Sequence, residues 1–231
     1  QVALGVMYAA GRGVGEDENA AAEWYHQAAE QGDVEALAWL RETAERGAAR
    51  AQVALGVMYA AGRGVVEDDV EAVEWYRRAA EQGSAEAQVA LGAMYIAGRG
   101  VVEDENAAVE WYRRAAEQGD AEALAWLRVT AERGSAEAQV AFGDLYTNGR
   151  DIVPDEDVAV EWYRRAAEQG HVEAQLMLAS RYAAGRGVVE DDNAAVEWYR
   201  RAAEQGSVDA QYALGDIFAE GYGVPENDAE G

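Results

Sequence analysis

The sequence predicts an all-α solenoid, a fold in which short helix pairs stack in series. Three observations predict it. The 231 residues are rich in Ala, Glu and Arg and include only 2 Pro, a composition that favours helix. The phrase QVALGVMYAAGRG occurs at 1–13 and returns unchanged at 52–64. Aligning the chain with itself gives a repeat of 36 residues, a period typical of helical repeat proteins.

The repeats follow one another along almost the whole chain. A pair of helices this short cannot bury its own apolar side, so each repeat must pack against its neighbours. We therefore expect one repeat domain over 1–231. Because residue 1 lies inside a repeat, we also expect this sequence to be part of a longer protein. The copies lie at 1–36, 52–87, 88–123, 139–174 and 175–210, with a partial copy at 211–231.

The first helix of each repeat, helix A, has clear start and stop signals. Ser84, just before the third copy, is placed to cap a helix over about 85–97. Gly98 is expected to end it, because glycine tolerates the positive φ found at helix C-termini.

The second helix, helix B, follows an acidic turn. Asp104 is the predicted N-cap of helix B in the third copy, and Gly119 is the predicted stop. The acidic turns are therefore interpreted as caps that also favour the helix dipole, and not as cation sites. The capping place in the other copies is held by Asp17, Asp68, Asp155, Asp191 and Asn227.

Two recurrent residue pairs predict how these helices pack. Helix B carries a Trp-Tyr pair, which at repeat spacing indicates packing and not a ligand site. Helix A carries a Leu-Gly pair, whose glycine is expected to let neighbouring helices approach closely. These glycines are Gly5, Gly56, Gly92, Gly143 and Gly215.

Two 15-residue segments interrupt the regular alternation of helices. They read LAWLRETAERGAARA at 37–51 and LAWLRVTAERGSAEA at 124–138. Both align with the end of helix B, for example at 73–83. Each is therefore expected to form one extra helix of about three turns and to change the local curvature of the solenoid.

The repeated phrases resemble the Sel1-like repeat family. The resemblance rests on LGVMYAAGRGVVEDD at 55–69 and AVEWYRRAAEQG at 72–83, together with the equivalent phrases in the other copies, and covers nearly the whole chain. It implies a right-handed superhelical solenoid of antiparallel helix pairs, similar to the tetratricopeptide repeat. It further implies a non-catalytic adaptor or scaffold that holds protein partners in bacterial pathways. Secreted bacterial relatives often carry a disulfide in each repeat, whereas this chain has no Cys.

Four places in helix A, the second, sixth, ninth and tenth of the repeat, vary most between copies. They span an arc of roughly 100° on one side of the helix, opposite the uniform Leu and Gly places. In solenoids of this family helix A lines the concave surface, so we expect this stripe to bind a protein or peptide partner. The candidate residues are Val53, Val57, Val89, Ala93, Ile96, Val140, Asp144, Thr147, Asn148, Leu176, Ser180, Arg181, Tyr212 and Asp216.

The stripe changes chemistry along the chain. It is apolar in the first three copies and mixed polar from Asp144 onward, and Arg181 stands where other copies have Met, Leu or Ile. We therefore expect apolar contacts from the first half and hydrogen bonds and ion contacts from the second. The alternative is that the small residues only let helices crowd together. Arginine substitutions at Ala60 and Ala97 distinguish these interpretations. If the stripe binds a partner, they should block binding only; if the small residues let helices pack closely, they should unfold the protein.

The composition argues against several other functions. The net charge of −25 repels phosphate backbones, so no nucleic acid is expected as a partner. No apolar stretch is long enough to insert into a membrane. The two histidines, His26 and His171, occupy non-equivalent places, so neither a metal, a cofactor nor a catalytic base is expected.

The sequence therefore predicts an acidic, monomeric, non-catalytic adaptor. Two alternatives remain open. The chain could be a regulatory or positioning module of a larger enzyme or envelope complex whose other domains are absent here, or a spacer that binds nothing. The bacterial cytoplasm and the periplasm are both compatible with a chain that has no Cys.

Overall fold

The protein is all-α, as predicted. A computed structural model describes residues 1–148 and 152–219, and within these ranges every regular element is a helix. The helices are α1 (Val2–Ala9), α2 (Glu18–Ala29), α3 (Val34–Glu45), α4 (Ala49–Ala61), α5 (Asp69–Glu81), α6 (Ala85–Ala97), α7 (Glu105–Ala116), α8 (Ala121–Glu132), α9 (Ala136–Asn148), α10 (Glu156–Glu168), α11 (Val172–Ala184), α12 (Asp192–Glu204) and α13 (Val208–Ala219).

The chain divides into two compact units, Gln1–Ala115 and Ala116–Gly231, here called unit 1 and unit 2. In unit 1, α4 packs against α5 and α5 against α6; in unit 2, α9 packs against α10 and α10 against α11. Each unit is thus a run of helix pairs in which consecutive helices are neighbours, the arrangement of a solenoid. One repeat domain over 1–231 stays a prediction.

The predicted caps define the helix ends. The Asp68 carboxylate accepts hydrogen bonds from the backbone N–H groups of Val70 and Glu71, and so begins α5. Gly98 has a φ of 61° and ends α6 at the predicted residue. The other capping aspartates act in the same way, while Asn227 lies outside the described residues. They are Asp17, Asp104, Asp155 and Asp191.

The two extra helices are α3 and α8, and each begins three residues before the segment predicted for it. The reason is a cap that the sequence comparison did not recognise. The Asp33 carboxylate accepts from the N–H of Ala36, and the Asp120 carboxylate from the N–H of Ala123, each at 2.9 Å. In unit 1, α2, α3 and α4 all pack against one another, so the extra helix α3 contacts both the helix before it and the helix after it. A change of curvature at these segments stays a prediction.

Helix A and helix B of one repeat touch through glycine and tyrosine. A Cβ added at Gly56 would lie 2.6 Å from the Tyr76 ring, and one added at Gly143 would lie 2.7 Å from the Tyr163 ring. Gly5 and Gly92 lie against tyrosine rings in the same way. The predicted close approach is confirmed at these four glycines. At Gly215 no described atom lies within 4 Å of the added Cβ, and residues 220–231 lie outside the described ranges, so close approach there stays a prediction.

A buried glutamine in helix A ties successive repeats together, a feature that the sequence analysis missed. Gln52 donates to the Ala44 carbonyl oxygen at 3.0 Å, and its own side-chain oxygen accepts from Gln82 at 2.7 Å. Gln139 and Gln175 make the equivalent pairs of hydrogen bonds. These bonds give polar partners to carbonyls near the end of one helix and to a buried amide in the next.

Candidate partner-binding cleft

Helices α9 to α13 of unit 2 line an open cleft of about 470 Å³. It collects six residues of the predicted stripe from two neighbouring A helices. The structure therefore brings together the polar half of the predicted site. The predicted residues at the cleft are Asp144, Thr147, Asn148, Leu176, Ser180 and Arg181; Tyr163, Met177, Arg186, Tyr199, Asp209 and Ala213 complete the lining.

Two predicted site residues belong to the core instead. Val53 is 3% exposed and Val140 is 6% exposed. Val53 packs in one cluster with Val73 and Tyr76, and Val140 packs with the equivalent residues of unit 2. In these two copies the second place of the repeat faces a neighbouring helix, so these valines are covered and unavailable to a partner.

The remaining predicted residues do not line the cleft. Tyr212 and Asp216 are exposed on α13, and Ala93 is exposed on α6. Val57, Val89 and Ile96 are half-buried in unit 1. Partner binding by any of them stays a prediction.

A buried phenol forms the floor of the cleft. Tyr163, on α10, is fully buried against Gly143 of α9. Its hydroxyl donates to Asp144 Oδ1 at 2.7 Å and lies 3.3 Å from Thr147 Oγ1. Burial raises the pKa of Tyr163 well above its ordinary value, and the negative charge of Asp144 raises it further. The phenol is therefore a neutral hydrogen-bond donor that fixes Asp144.

Arg181 is the central cation of the cleft. Its side chain is 11% exposed, and its guanidinium pairs with the Glu156 carboxylate and lies 5.5 Å from the centre of the Tyr163 ring. It also donates to Thr147 Oγ1 at 3.2 Å. Burial lowers the pKa of Arg181 from its ordinary value, and the nearby Arg186 lowers it further. Arg181 nevertheless keeps its charge near neutral pH, because the ordinary pKa of an arginine guanidinium lies far above neutral pH.

Glu156 joins the two arginines of the cleft. One carboxylate oxygen pairs with Arg181, and the other accepts from Arg186 at 2.7 Å. The Arg181 guanidinium is mostly buried and therefore needs a carboxylate partner, because an unpaired buried ion is costly. The network therefore holds Arg181 in a fixed position at the cleft floor.

The lining also has an apolar part, beside the polar Asn148, Ser180 and Asp209. This apolar part is formed by four half-buried residues. They are Leu176 and Met177 of α11, Tyr199 of α12 and Ala213 of α13. Burial raises the pKa of Tyr199, so this ring is neutral as well. The cleft can thus offer apolar contacts from α11 to α13 and charge-assisted hydrogen bonds from α9 to α11.

Sequence reasoning missed two residues that position Asp144 and Arg181. The sequence places Tyr163 in the packing ladder and Glu156 in an acidic turn. A signal for Glu156 did exist. Arg181 occupies a place that is Met, Leu or Ile in the other copies, and a cation in such a place requires a carboxylate nearby.

The two histidines have structural contacts. His171 caps α11 by accepting from the N–H of Ala174 at 3.2 Å, and its other ring nitrogen lies 2.8 Å from Glu137 Oε2. Burial lowers the pKa of His26. Within 1–148 and 152–219, no three His, Asp or Glu side chains are grouped so that they could hold a metal ion. No helix in the same ranges has the length and apolarity needed to cross a bilayer.

The family model for the Sel1 repeat matches most of the chain. It covers residues 1–33, 49–84, 85–120, 136–171, 172–207 and 208–231. The two unmatched stretches, 34–48 and 121–135, are α3 and α8 with the turns that follow them. No curated protein matches the chain significantly.

Two similar solved structures come from bacteria. One is a protective antigen of uropathogenic Escherichia coli displaying an SLR fold, 34% identical over 95% of this chain and 41% of that chain, with a TM-score of 0.41. The other is a Sel1 repeat protein from Oxalobacter formigenes, 32% identical over 94% of this chain and 75% of that chain, also with a TM-score of 0.41. The chain spans less than half the length of the Escherichia coli antigen.

Proposed function

The chain belongs to the Sel1 repeat family, whose members are generally non-catalytic protein-interaction scaffolds, and on that premise we propose that the unit 2 cleft binds a peptide segment of a partner protein. The observation that carries the proposal is the fixed cation at its floor. Arg181 is held by Glu156 and Thr147 at a place that is apolar in other repeats.

The size and chemistry of the cleft indicate what kind of segment it takes. A volume of about 470 Å³ is in the range of sites that enclose a few side chains. Leu176, Met177 and Ala213 suit an apolar side chain of the peptide. Asn148 and Arg186 lie at the exposed polar part of the lining, where they can bond its backbone or an adjacent polar group.

The same geometry favours binding over catalysis. Tyr163 is kept neutral by burial, and Arg181 is occupied by a carboxylate. Neither group is poised to transfer a proton near neutral pH, because both pKa values remain far from it. The alternative of a positioning module in a larger enzyme would use the same cleft and would differ only in what the partner does.

The test is selection of peptides from a displayed library on the purified chain, followed by affinity measurement by fluorescence anisotropy. Ser180→Trp fills the cleft from an exposed position on α11 and is expected to weaken the selected peptides at least about tenfold. The matched control is Val189→Trp, at a fully exposed turn residue outside the cleft. Circular dichroism is the check that both variants fold.

Two results would contradict the proposal. One is a failure to select any peptide. The other is a set of peptides whose affinity is unchanged by Ser180→Trp, which would place their binding elsewhere on the protein.

A further inference from the structure

The turn arginine of the cleft, Arg186, makes fewer contacts than its counterpart in unit 1. Arg99 and Arg186 occupy the same place in the turn that follows helix A. Arg99 binds the Asp69 carboxylate through two parallel hydrogen bonds, from Nε at 3.1 Å and from Nη2 at 2.6 Å. Its Nη2 also donates to the Ala60 carbonyl oxygen at 2.8 Å. The Arg99 guanidinium is thus occupied by groups of its own chain.

Arg186 makes a single hydrogen bond in the described part of the chain. Its Nη2 donates to Glu156 Oε1 at 2.7 Å. The other oxygen of Glu156 pairs with Arg181, so this carboxylate does not accept the two parallel bonds that Asp69 accepts. Among the described residues, the Nε–H and Nη1–H groups of Arg186 have no acceptor, and the side chain is 58% exposed at the cleft.

One edge of the Arg186 guanidinium is therefore free. A guanidinium has two edges, each of which can give a carboxylate two parallel hydrogen bonds. Nη2 carries one N–H on each edge, so its single bond to Glu156 occupies one edge and leaves the other. In unit 1 the equivalent arginine spends an edge on Asp69.

The cleft also has more positive charge beside Arg186 than unit 1 has beside Arg99. The Glu156 carboxylate is shared by two guanidinium groups. The two cations are close enough to interact, since burial lowers the pKa of Arg181 and the charge of Arg186 lowers it further. An anion bound to Arg186 would reduce this repulsion.

Two aspartates of the lining act in the opposite direction. Asp144 accepts from the Tyr163 hydroxyl, and Asp209 lies in the first turn of α13. Together with the net charge of −25, these carboxylates oppose the approach of an anion from a distance. An anion in the cleft therefore has to be held by direct hydrogen bonds to Arg186.

We propose that the segment bound in the cleft carries a carboxylate, which takes two parallel hydrogen bonds from the free edge of Arg186. The inference rests on the peptide site proposed above and names the chemistry that its ligand brings. Bidentate arginine–carboxylate pairs are short, charge-assisted and geometrically specific, so they select a ligand even in an acidic protein. Leu176 and Met177 are available to the apolar side chains next to the carboxylate.

The test uses small probes that isolate the carboxylate. N-acetylleucine carries it as a chain terminus, acetyl-Leu-Glu amide carries it as a side chain, and N-acetylleucinamide is the matched neutral control. Each probe is titrated into the isotope-labelled chain, and the arginine Nε–H resonances are followed by NMR. The Arg186 resonance is identified by its loss in Arg186→Gln.

We expect both acids to shift the Arg186 resonance saturably. The neutral amide is expected to bind at least about tenfold more weakly, because it lacks the charge-assisted pair. A non-specific effect of the net charge of −25 would instead favour the neutral probe. Tighter binding of N-acetylleucine assigns a chain terminus as the source of the carboxylate, tighter binding of acetyl-Leu-Glu amide assigns an acidic side chain, and either order supports the inference.

Two arginine variants locate the binding. Arg186→Gln removes the free edge and is expected to lower the affinity of both acids at least about tenfold. Arg99→Gln is the matched control, since it removes the equivalent turn arginine of unit 1, which Asp69 occupies, and is expected to leave the affinity unchanged. Circular dichroism is the check that both variants fold.

Three results would overturn the inference. The first is that neither acid shifts the Arg186 resonance. The second is that the neutral amide binds as tightly as the acids. The third is that Arg186→Gln leaves the affinity of the acids unchanged.

The inference and the proposed peptide site fail separately. Selected peptides that Ser180→Trp weakens, but that bind equally well with every carboxylate converted to an amide, would overturn the carboxylate and leave the peptide site standing. If no peptide is selected while both acids bind at Arg186, the peptide proposal fails and the carboxylate site stands.

Discussion

Replacing Gly56 by Ala tests the contact on which helix pairing depends. The Cβ would lie 2.6 Å from two carbons of the Tyr76 ring, a distance too short for any real Cβ contact. Those carbons belong to the body of a buried ring that packs with Val53 and Val73, so the ring cannot swing away freely. Either the ring or α5 has to move.

The expected magnitude comes from two opposing effects. Alanine in a helix interior is favoured over glycine by about 0.8–1.0 kcal/mol. Overpacking a core of this density costs about 1–3 kcal/mol. A contact of 2.6 Å with the body of a ring places the steric cost in the upper part of that range, about 2–3 kcal/mol, so Gly56→Ala is expected to destabilise unit 1 by about 1–2 kcal/mol after both effects are counted.

Gly215→Ala is the matched control, because the same substitution there meets no described atom. It keeps the helix propensity gain without the clash, so its expected effect is zero to about 1 kcal/mol of stabilisation. The two changes should therefore shift stability in opposite directions.

The assay is urea denaturation followed by circular dichroism at 222 nm. Repeat arrays can unfold in parts, so hydrogen exchange of the α4 and α13 amides reports the effect of each change locally. If Gly56→Ala leaves stability unchanged or raises it, the argument that glycine is required for close helix packing is wrong.

Three further predictions concern buried polar groups. Glu156→Gln, which leaves the mostly buried Arg181 without its carboxylate, is expected to lower stability by about 1–3 kcal/mol, and Arg181→Met by less, as thermal melts would show. The pKa of Tyr163 is higher in the folded chain than in the unfolded chain, so only the unfolded chain loses the phenol proton just above pH 10. The free energy of unfolding, measured by urea titration at each pH, is therefore expected to fall as pH rises above about 10, and to fall less steeply in Tyr163→Phe. Gln52→Leu leaves the Ala44 carbonyl without its side-chain donor and is expected to lower the free energy of unfolding by about 1–2 kcal/mol, whereas an unchanged urea midpoint would show that the Gln52 hydrogen bonds add no stability.

The candidate site was only partly predictable from the sequence. Asp144, Thr147 and Arg181 line the cleft. The comparison of copies selected the first two because their places vary, and Arg181 because it is a cation where other copies are apolar. It also included Val53 and Val140, which are buried. Helical periodicity places residues on one side of a helix, but it does not say how far a neighbouring helix extends over the edge of that side.

What the sequence determined by itself is the local structure and its repetition. Most helices begin at a capping side chain, as α5 does at Asp68, and three of them end directly at a glycine, as α6 does at Gly98, through contacts within a few residues of chain. Tertiary structure alone decided which distant groups meet. Arg181 finds Glu156, 25 residues earlier, only because α10 and α11 pack together. Contacts between helices depend on how the helices pack against each other, and that packing is not determined by any short segment of the sequence.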